Sequence, residues 1–129
     1  MHKRILSVGI LLAGLAVVLG AFGAHKLKEL VPPETVASFQ TGAQYQMYHS
    51  LALILVAICF EKFPNNLMKW AGNCFLLGIL LFSGSLYLLA ALKATDQVGL
   101  KGLGLITPMG GVFFIAGWLL FLFSIRKKS

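Results

Sequence analysis

The sequence predicts an all-α protein, an integral membrane bundle of four transmembrane helices that forms a single domain over residues 1–129. Hydrophobic residues make up 58% of the chain and charged residues only 12%, and the mean hydropathy is +0.86. A soluble domain of this length would need far more polar surface. The net charge is +7, but the basic residues stand singly or in twos and threes beside the apolar segments, which indicates membrane flanks rather than a surface for nucleic acid.

The first predicted span covers residues 5–24, a run of 20 residues without a charge. At about 1.5 Å per residue such a helix reaches about 30 Å, the thickness of the hydrocarbon layer. A cleaved signal peptide is the alternative, because His2, Lys3 and Arg4 precede the apolar run and small residues close it near Ala24. The run is longer than a usual signal-peptide core, so we interpret it as a retained helix.

The connection between the first two spans, residues 26–43, contains its own helical pattern. Pro33 can open a helix, and Val36 and Phe39 then lie on one apolar stripe. This pattern predicts a short amphipathic helix on the outer surface that leads into the second span. Gly42 is the expected hinge between the two.

The second predicted span, residues 44–60, is the shortest and least hydrophobic, because its first two turns are polar. The third and fourth, residues 70–92 and 103–125, are uncharged over 23 residues each, long enough to cross the membrane with some tilt. In the fourth, Thr107 before Pro108 is typical of a helix N-cap, which would begin the helix at Pro108 with its free amide groups facing an anionic or carbonyl group. A continuous helix kinked at the proline is the alternative.

The basic residues are more numerous on the side of the two termini, seven against four. The seven are Lys3, Arg4, Lys62, Lys69, Arg126, Lys127 and Lys128. The four are Lys26, Lys28, Lys93 and Lys101. The positive-inside rule therefore predicts that both termini lie in the cytoplasm.

With this topology, most polar residues of the spans fall in the outer half of the membrane. A polar side chain in hydrocarbon must find its hydrogen bonds within the protein, so such clustering marks either packing between helices or a binding site. Four of these side chains, between Gln44 and His49, lie within an arc of about 140°, so we expect them to face the bundle. The candidate pocket residues are His25, Gln44, Tyr45, Tyr48, His49, Ser83, Ser85, Tyr87 and Thr107.

Small residues recur along the spans at positions where another helix can approach closely. On the first span, five small residues share one face about 80° wide, namely Gly9, Ala13, Ala16, Gly20 and Ala24. The predicted helix-packing residues are Gly9, Ala13, Ala16, Gly20, Gly23, Ala24, Gly84, Gly110, Gly111 and Gly117.

The two cysteines, Cys59 and Cys74, lie on either side of the predicted turn between the second and third spans. Their spacing matches neither a metal-binding motif nor a secretory disulfide framework. We interpret them as small apolar packing residues whose thiols stay reduced near the cytoplasmic face. A redox or metal-binding pair is the alternative.

Four ordered motifs extend over nearly the whole chain. They are residues 20–28 (GAFGAHKLK), 39–42 (FQTG) with 45–53 (YQMYHSLAL), 82–87 (FSGSLY), and 107–111 (TPMGG) with 114–118 (FIAGW). Together they resemble the domain-of-unknown-function 423 family, which groups small bacterial membrane proteins with the eukaryotic transmembrane-protein-256-like proteins. The resemblance implies a four-span, multi-pass protein of the bacterial inner (plasma) membrane and brings no established activity with it.

The candidate pocket contains amide, phenol, imidazole and hydroxyl groups but no carboxylate, which favours a binding or accessory protein over an enzyme. The pocket would hold a lipid headgroup, a quinone-like or other small molecule, or a partner helix. We expect no enzymatic activity, no cofactor and no metal site. The expected partners are membrane lipids and either a second copy of the chain or another membrane protein, and no nucleic acid.

Two other functions stay open at this point. One is a small transporter or channel that assembles as an oligomer through its glycine faces. Glycines that recur at an offset of 64 residues favour it as a parallel repeat, whereas the absence of acidic residues from the spans argues against proton or cation transport. The other is a metal- or haem-binding protein that uses His25 and His49.

Overall fold

The computed structural model describes residues 2–95 and 103–127, and these residues form four long helices without a β-strand. The helices are α1 (Lys3–Ala24), α2 (Pro33–Cys59), α3 (Asn66–Ala94) and α4 (Leu103–Arg126). Among the described residues, α1, α3 and α4 are long and apolar enough to cross a membrane. The all-α prediction is confirmed, and three of the four predicted spans correspond to helices of membrane-spanning length and composition.

Local signals in the sequence explain where the helices begin. The His2 side chain accepts a hydrogen bond from the backbone amide of Ile5 at 3.3 Å and so caps α1, and the Asn65 side chain caps α3 by accepting from Met68 at 3.1 Å. Pro33 is the first residue of α2, a position where its missing N–H costs nothing. These caps satisfy backbone groups that have no partner within the helix.

Helix α1 packs antiparallel against α2. Gly9, near the start of α1, lies against Leu53 and Ile54, and Gly23, near its end, lies against Phe39. Because glycine has no side chain, the two backbones come close at both ends of the contact.

Helices α3 and α4 continue the same up-and-down order. Helix α3 runs antiparallel to α2, and Gly42 of α2 lies against Leu86 and Tyr87 of α3. Helix α4 runs antiparallel to α3, and Gly110 of α4 lies directly against the backbone of Phe82. The four helices therefore follow one another side by side, and α2 and α3 have a neighbour on each side.

Helix α3 changes its winding at the closest contact with α4. Residues Ile79–Ser83 form a π-helical segment between the α-helical parts Asn66–Gly78 and Gly84–Ala94. The segment contains Phe82, whose backbone faces Gly110. π-Helical turns are rare in proteins, but those that occur often lie beside functional sites.

The core lies where α2, α3 and α4 meet. The buried apolar residues of this cluster are Ala52, Leu53, Val56, Met68, Ala71, Phe75, Ile79 and Phe114. A second, smaller cluster near the start of α2 contains Leu27, Val31, Phe39 and Ala90. Helix α2 contributes to both clusters, and it is the helix with the most polar residues among the four.

The predicted short amphipathic helix does not exist as a separate element. Helix α2 runs without interruption from Pro33 to Cys59, and Phe39 is buried against α3, with its ring 5.0 Å from that of Tyr87. Gly42 is not a hinge but a contact point with α3. The apolar stripe that predicted a surface helix is buried inside the bundle instead.

The predicted start of the fourth helix at Pro108 is also wrong. Helix α4 begins at Leu103, and Pro108 lies inside it. Thr107 therefore lies inside the helix and is not its N-cap, and its hydroxyl forms a hydrogen bond with the hydroxyl of Ser85 on α3. The continuous helix, which the sequence left as the alternative, is the observed one.

Candidate functional site

A groove of about 660 Å³ lies between α2 and α4, over part of α3, and we call it the α2–α4 groove. Its lining is mostly aromatic and aliphatic. The lining residues are Tyr45, Tyr48, His49, Phe82, Pro108, Gly111, Val112, Phe114, Ile115 and Trp118. Val112 and Ile115 are 65% and 64% exposed, so the groove opens sideways, toward the position of lipid in a membrane.

The floor of the groove is a stack of rings around His49. The His49 side chain is only 4% exposed, and its ring lies nearly parallel to that of Phe114, with ring centres 3.5 Å apart and an interplanar angle of 9°. On the neighbouring turn, the Tyr45 ring lies 4.9 Å from Phe82. Each of these pairs joins two different helices, so the rings hold the groove in one shape.

Both nitrogens of His49 have a hydrogen-bond partner. Its Nδ1 lies 2.7 Å from the backbone oxygen of Tyr45, and Trp118 donates from Nε1 to its Nε2 at 3.2 Å. An indole N–H can only donate, so Nε2 is the acceptor and Nδ1 carries the proton that is donated to Tyr45. His49 is therefore a neutral imidazole in a fixed orientation that joins α2 to α4.

Three of the predicted pocket residues line the groove, namely Tyr45, Tyr48 and His49. Tyr45 and Tyr48 are 37% and 48% exposed, and among the described residues neither phenol hydroxyl forms a hydrogen bond. The groove thus offers two hydroxyl groups within an otherwise apolar and aromatic surface.

The predicted residues of α3 and α4 lie outside the groove and join helices. The Ser83 hydroxyl donates to the backbone oxygen of Gly42 at 2.6 Å. Ser85 forms its hydrogen bond with Thr107, between α3 and α4, and Tyr87 bonds to α2. These side chains therefore serve in packing between helices, which was one of the two alternatives given by the sequence.

The other two predicted pocket residues are exposed and are not brought to the groove. His25 follows the last residue of α1, and Gln44 lies on the outside of α2. Gly23 packs against Phe39, and ten residues of helix separate Phe39 from His49, a rise of about 15 Å. The structure therefore does not bring His25 and His49 together, and within residues 2–95 and 103–127 no group of three or more His, Cys, Asp or Glu residues is placed to hold a metal ion.

Gln46 is a buried polar residue that is not among the predicted pocket residues. It is 2% exposed, donates from Nε2 to the backbone oxygen of Leu12 on α1 at 2.8 Å, and accepts at Oε1 from the Tyr87 hydroxyl of α3 at 2.7 Å. Gln40 makes a similar bond to the Gly20 oxygen of α1 at 3.2 Å. The sequence does contain a pattern that indicates the burial of Gln46. This residue shares a helical face with small and apolar residues of α2, at the spacing typical of a buried stripe.

The bond between Gln46 and Leu12 also shows where along the bundle this network lies. Leu12 is the tenth of the 22 residues of α1, and Gln46 is the fourteenth of the 27 residues of α2. Phe114, which stacks on His49, is the twelfth of the 24 residues of α4. The network and the floor of the groove therefore lie near the middle of the helices.

Most of the predicted packing glycines lie against a neighbouring helix. Gly9 and Gly23 contact α2, and Gly110 and Gly117 contact α3. Gly111 has no neighbour within 4 Å of a side chain placed on it and belongs to the groove wall. Most glycines of the faces that were expected to join two copies of the chain thus contact another helix of the same chain.

The helices and the groove define a class of protein, a small multi-pass α-helical membrane protein with a sideways-opening aromatic groove. The family model described as "Protein of unknown function (DUF423)" matches residues 19–111, and the chain belongs to this family. The match confirms the resemblance to this family that the sequence motifs indicate.

Relatives of the chain are named membrane proteins of bacteria. The UPF0382 membrane protein YwdK of Bacillus subtilis (strain 168) is 41% identical over 126 residues, which cover 97% of this chain and 98% of the relative. The UPF0382 membrane protein SH2409 of Staphylococcus haemolyticus is 38% identical over 97% of both chains. The UPF0382 inner membrane protein YgdD of Escherichia coli (strain K12) is 40% identical over 87% of this chain and 82% of the relative. No solved structure matches the chain.

These relatives agree with the three membrane-capable helices of the structure. The protein is a multi-pass protein of the bacterial inner (plasma) membrane, as the sequence predicts.

Proposed function

We propose that the protein is a four-span binding component of the plasma membrane, with both termini in the cytoplasm, and that the α2–α4 groove holds the planar ring of a membrane-soluble molecule. The ligand class is a quinone-like molecule, a flat ring with carbonyl oxygens on an apolar chain. The observation that carries this proposal is the lining of the groove, in which stacked rings surround two phenol hydroxyls.

The packing of α2 supports the count of four spans. Helix α2 lies antiparallel between α1 and α3 and contains 27 residues, a length of about 40 Å. Two of its polar side chains bond to α1, Gln40 to Gly20 and Gln46 to Leu12, and Gln46 also accepts a hydrogen bond from Tyr87 of α3. A helix whose polar groups are satisfied internally can cross hydrocarbon in spite of a low hydropathy.

The distribution of charge supports the orientation. Of the basic residues that the structure describes, six lie at the end of the bundle with the termini and three lie at the other end. An excess of Lys and Arg marks the cytoplasmic side of bacterial membrane proteins.

The chemistry of the groove supports a ring with carbonyl groups. Because both nitrogens of His49 are engaged, the polar groups left for a ligand are the hydroxyls of Tyr45 and Tyr48, and a phenol hydroxyl is a good donor to a carbonyl oxygen. The ring of Trp118, which is 45% exposed, favours stacking with a planar ring. The volume of about 660 Å³ lies within the range of small-molecule sites.

Intrinsic fluorescence provides a direct test, because Trp118 lines the groove and the chain contains only one other tryptophan, Trp70. The Trp70→Phe variant in phosphatidylcholine nanodiscs isolates the signal of Trp118. We expect a benzoquinone with a decyl tail to quench this signal with saturation. Tyr48→Phe in the same background weakens the binding about fivefold, the effect of one lost hydrogen bond.

The matched control is the Trp118→Phe variant, which retains Trp70. Trp70 is 57% exposed and lies outside the groove, so its quenching should rise in proportion to the quinone content of the bilayer, without saturation. Equal, unsaturated quenching of both tryptophans would show that the quinone dissolves in the lipid and does not occupy the groove.

A further inference from the structure

A second cavity lies between α1 and α3, beside Leu53 of α2. It measures about 120 Å³, and we call it the α1–α3 cleft. Its lining residues are Arg4, Ile5, Val8, Leu53, Gly72, Asn73 and Leu76. Two of them, Arg4 and Asn73, are polar and exposed, and the rest are apolar. The cleft therefore has the amphipathic character of a lipid, with a charged group at one end and an apolar wall beside it.

Positive charge is concentrated at this end of the bundle, which favours the binding of an anion. Helices α1 and α3 both begin here, and neither has an acidic residue in its first turn. The first turns instead carry Lys3, Arg4 and Lys69. The N-terminus of a helix is the positive end of its dipole, so basic residues there are unfavourable unless a negative charge is supplied.

Residues 2–95 and 103–127 supply little negative charge at this position. Of the described acidic residues, Glu29 and Glu34 lie at the other end of the bundle, and Glu61 lies at this end, in the connection between α2 and α3. Arg4 forms no ion pair with any residue in the described part of the chain. The guanidinium of Arg4 is thus a free donor at the mouth of an apolar cleft.

We propose that the α1–α3 cleft binds an anionic phospholipid. The guanidinium of Arg4 binds the phosphate, for which its paired N–H groups are well suited, and the Asn73 amide donates to an ester carbonyl of the same lipid. One acyl chain lies along Val8 and Leu76. Basic pockets between transmembrane helices bind anionic headgroups in this way, and the site is separate from the α2–α4 groove.

Native mass spectrometry of the detergent-solubilised full chain, with added dioleoyl phosphatidylglycerol or dioleoyl phosphatidylcholine, tests the proposal. We expect the wild-type protein to retain phosphatidylglycerol in preference to phosphatidylcholine. Arg4→Gln weakens the retention of phosphatidylglycerol about fivefold, the effect of about 1 kcal/mol per basic residue near the surface. Arg4 is exposed, so this substitution leaves the folded protein intact.

Arg126→Gln is the matched control, since it removes the same charge at the same end but from α4, outside the cleft. It should leave the retention of phosphatidylglycerol unchanged. Val8→Phe fills the cleft without a change of charge and should lower the retention of both lipids, with circular dichroism used to verify helicity. Equal retention of the two lipids by the wild-type protein, equal effects of the two arginine substitutions, or an unaffected Val8→Phe variant would each overturn the proposal.

Discussion

Two glutamines of α2, two positions apart, have opposite environments. Gln44 is exposed, whereas Gln46 is 2% exposed and joins α1 to α3. Residues two apart on a helix point in nearly opposite directions, so only one of them can face the bundle. The sequence identifies the polar stretch but does not say which of its faces is internal, because that depends on the neighbours of α2.

The bonds of Gln46 predict a measurable cost of its removal. Gln46→Leu should lower the free energy of unfolding by about 1 to 2 kcal/mol, because two interhelical hydrogen bonds of about 0.6 kcal/mol each are lost and the Tyr87 hydroxyl is left without its partner. Tyr87→Phe, which removes one of the two bonds, should cost about half as much. Unfolding in mixed micelles with increasing dodecyl sulfate measures both values.

Gln44→Leu is the matched control on the same helix and should change the stability by less than about 0.5 kcal/mol. Similar losses for Gln44→Leu and Gln46→Leu would contradict the internal position of Gln46.

At the scale of the elements, the contact of α3 with α4 depends on which glycine faces which helix. A side chain at Gly110 would collide with the backbone of Phe82, and one at Gly78 would collide with the Phe114 ring. Gly111, the next residue along α4, faces open space. Adjacent glycines in one motif therefore have different roles, one in packing and one in shaping the groove.

This difference predicts opposite effects of two neighbouring substitutions. Gly110→Ala should destabilise the protein by about 2 kcal/mol or more, since a rigid backbone cannot move aside for the added methyl group. Gly111→Ala should be neutral or stabilise by up to about 1 kcal/mol through the higher helix propensity of alanine. The same micelle unfolding experiment compares them, and a larger loss for Gly111→Ala than for Gly110→Ala would show that the register of α3 against α4 is incorrect.

The sequence predicts the helices better than it predicts the site. The uncharged runs at residues 5–24, 70–92 and 103–125 lie within α1, α3 and α4, because the length of an uncharged run is a local property of the chain. The bond between Trp118 and His49 depends on the register of α2 against α4, and no local pattern contains that register. The place of Pro108 inside α4 is likewise not indicated locally, because a threonine before a proline is typical of a helix start.

At the scale of the whole molecule, the number of spans decides the position of the termini. If α2 crosses the membrane as the other three helices do, both termini lie on the same side. If α2 remains at the surface, only three helices cross and the termini lie on opposite sides.

Labelling of single cysteines distinguishes these arrangements. In a background in which Cys59 and Cys74 are replaced by alanine, we expect His25→Cys to react with a membrane-impermeant maleimide in intact cells. Lys3→Cys and Lys127→Cys should both react only after the membrane is permeabilised. Reaction of only one of the two terminal positions in intact cells would contradict the four-span arrangement.

The polarity of α2 has a consequence for the order in which the protein can be made. As α2 leaves the ribosome, its only available partners are the carbonyl oxygens of α1, which receive Gln40 and Gln46. Its other hydrogen-bond partners, Ser83, Tyr87 and Trp118, are synthesised later. If α2 crosses the membrane, it therefore enters lipid together with α1 as a hairpin, and its interhelical hydrogen bonds are complete only after α4 has been synthesised.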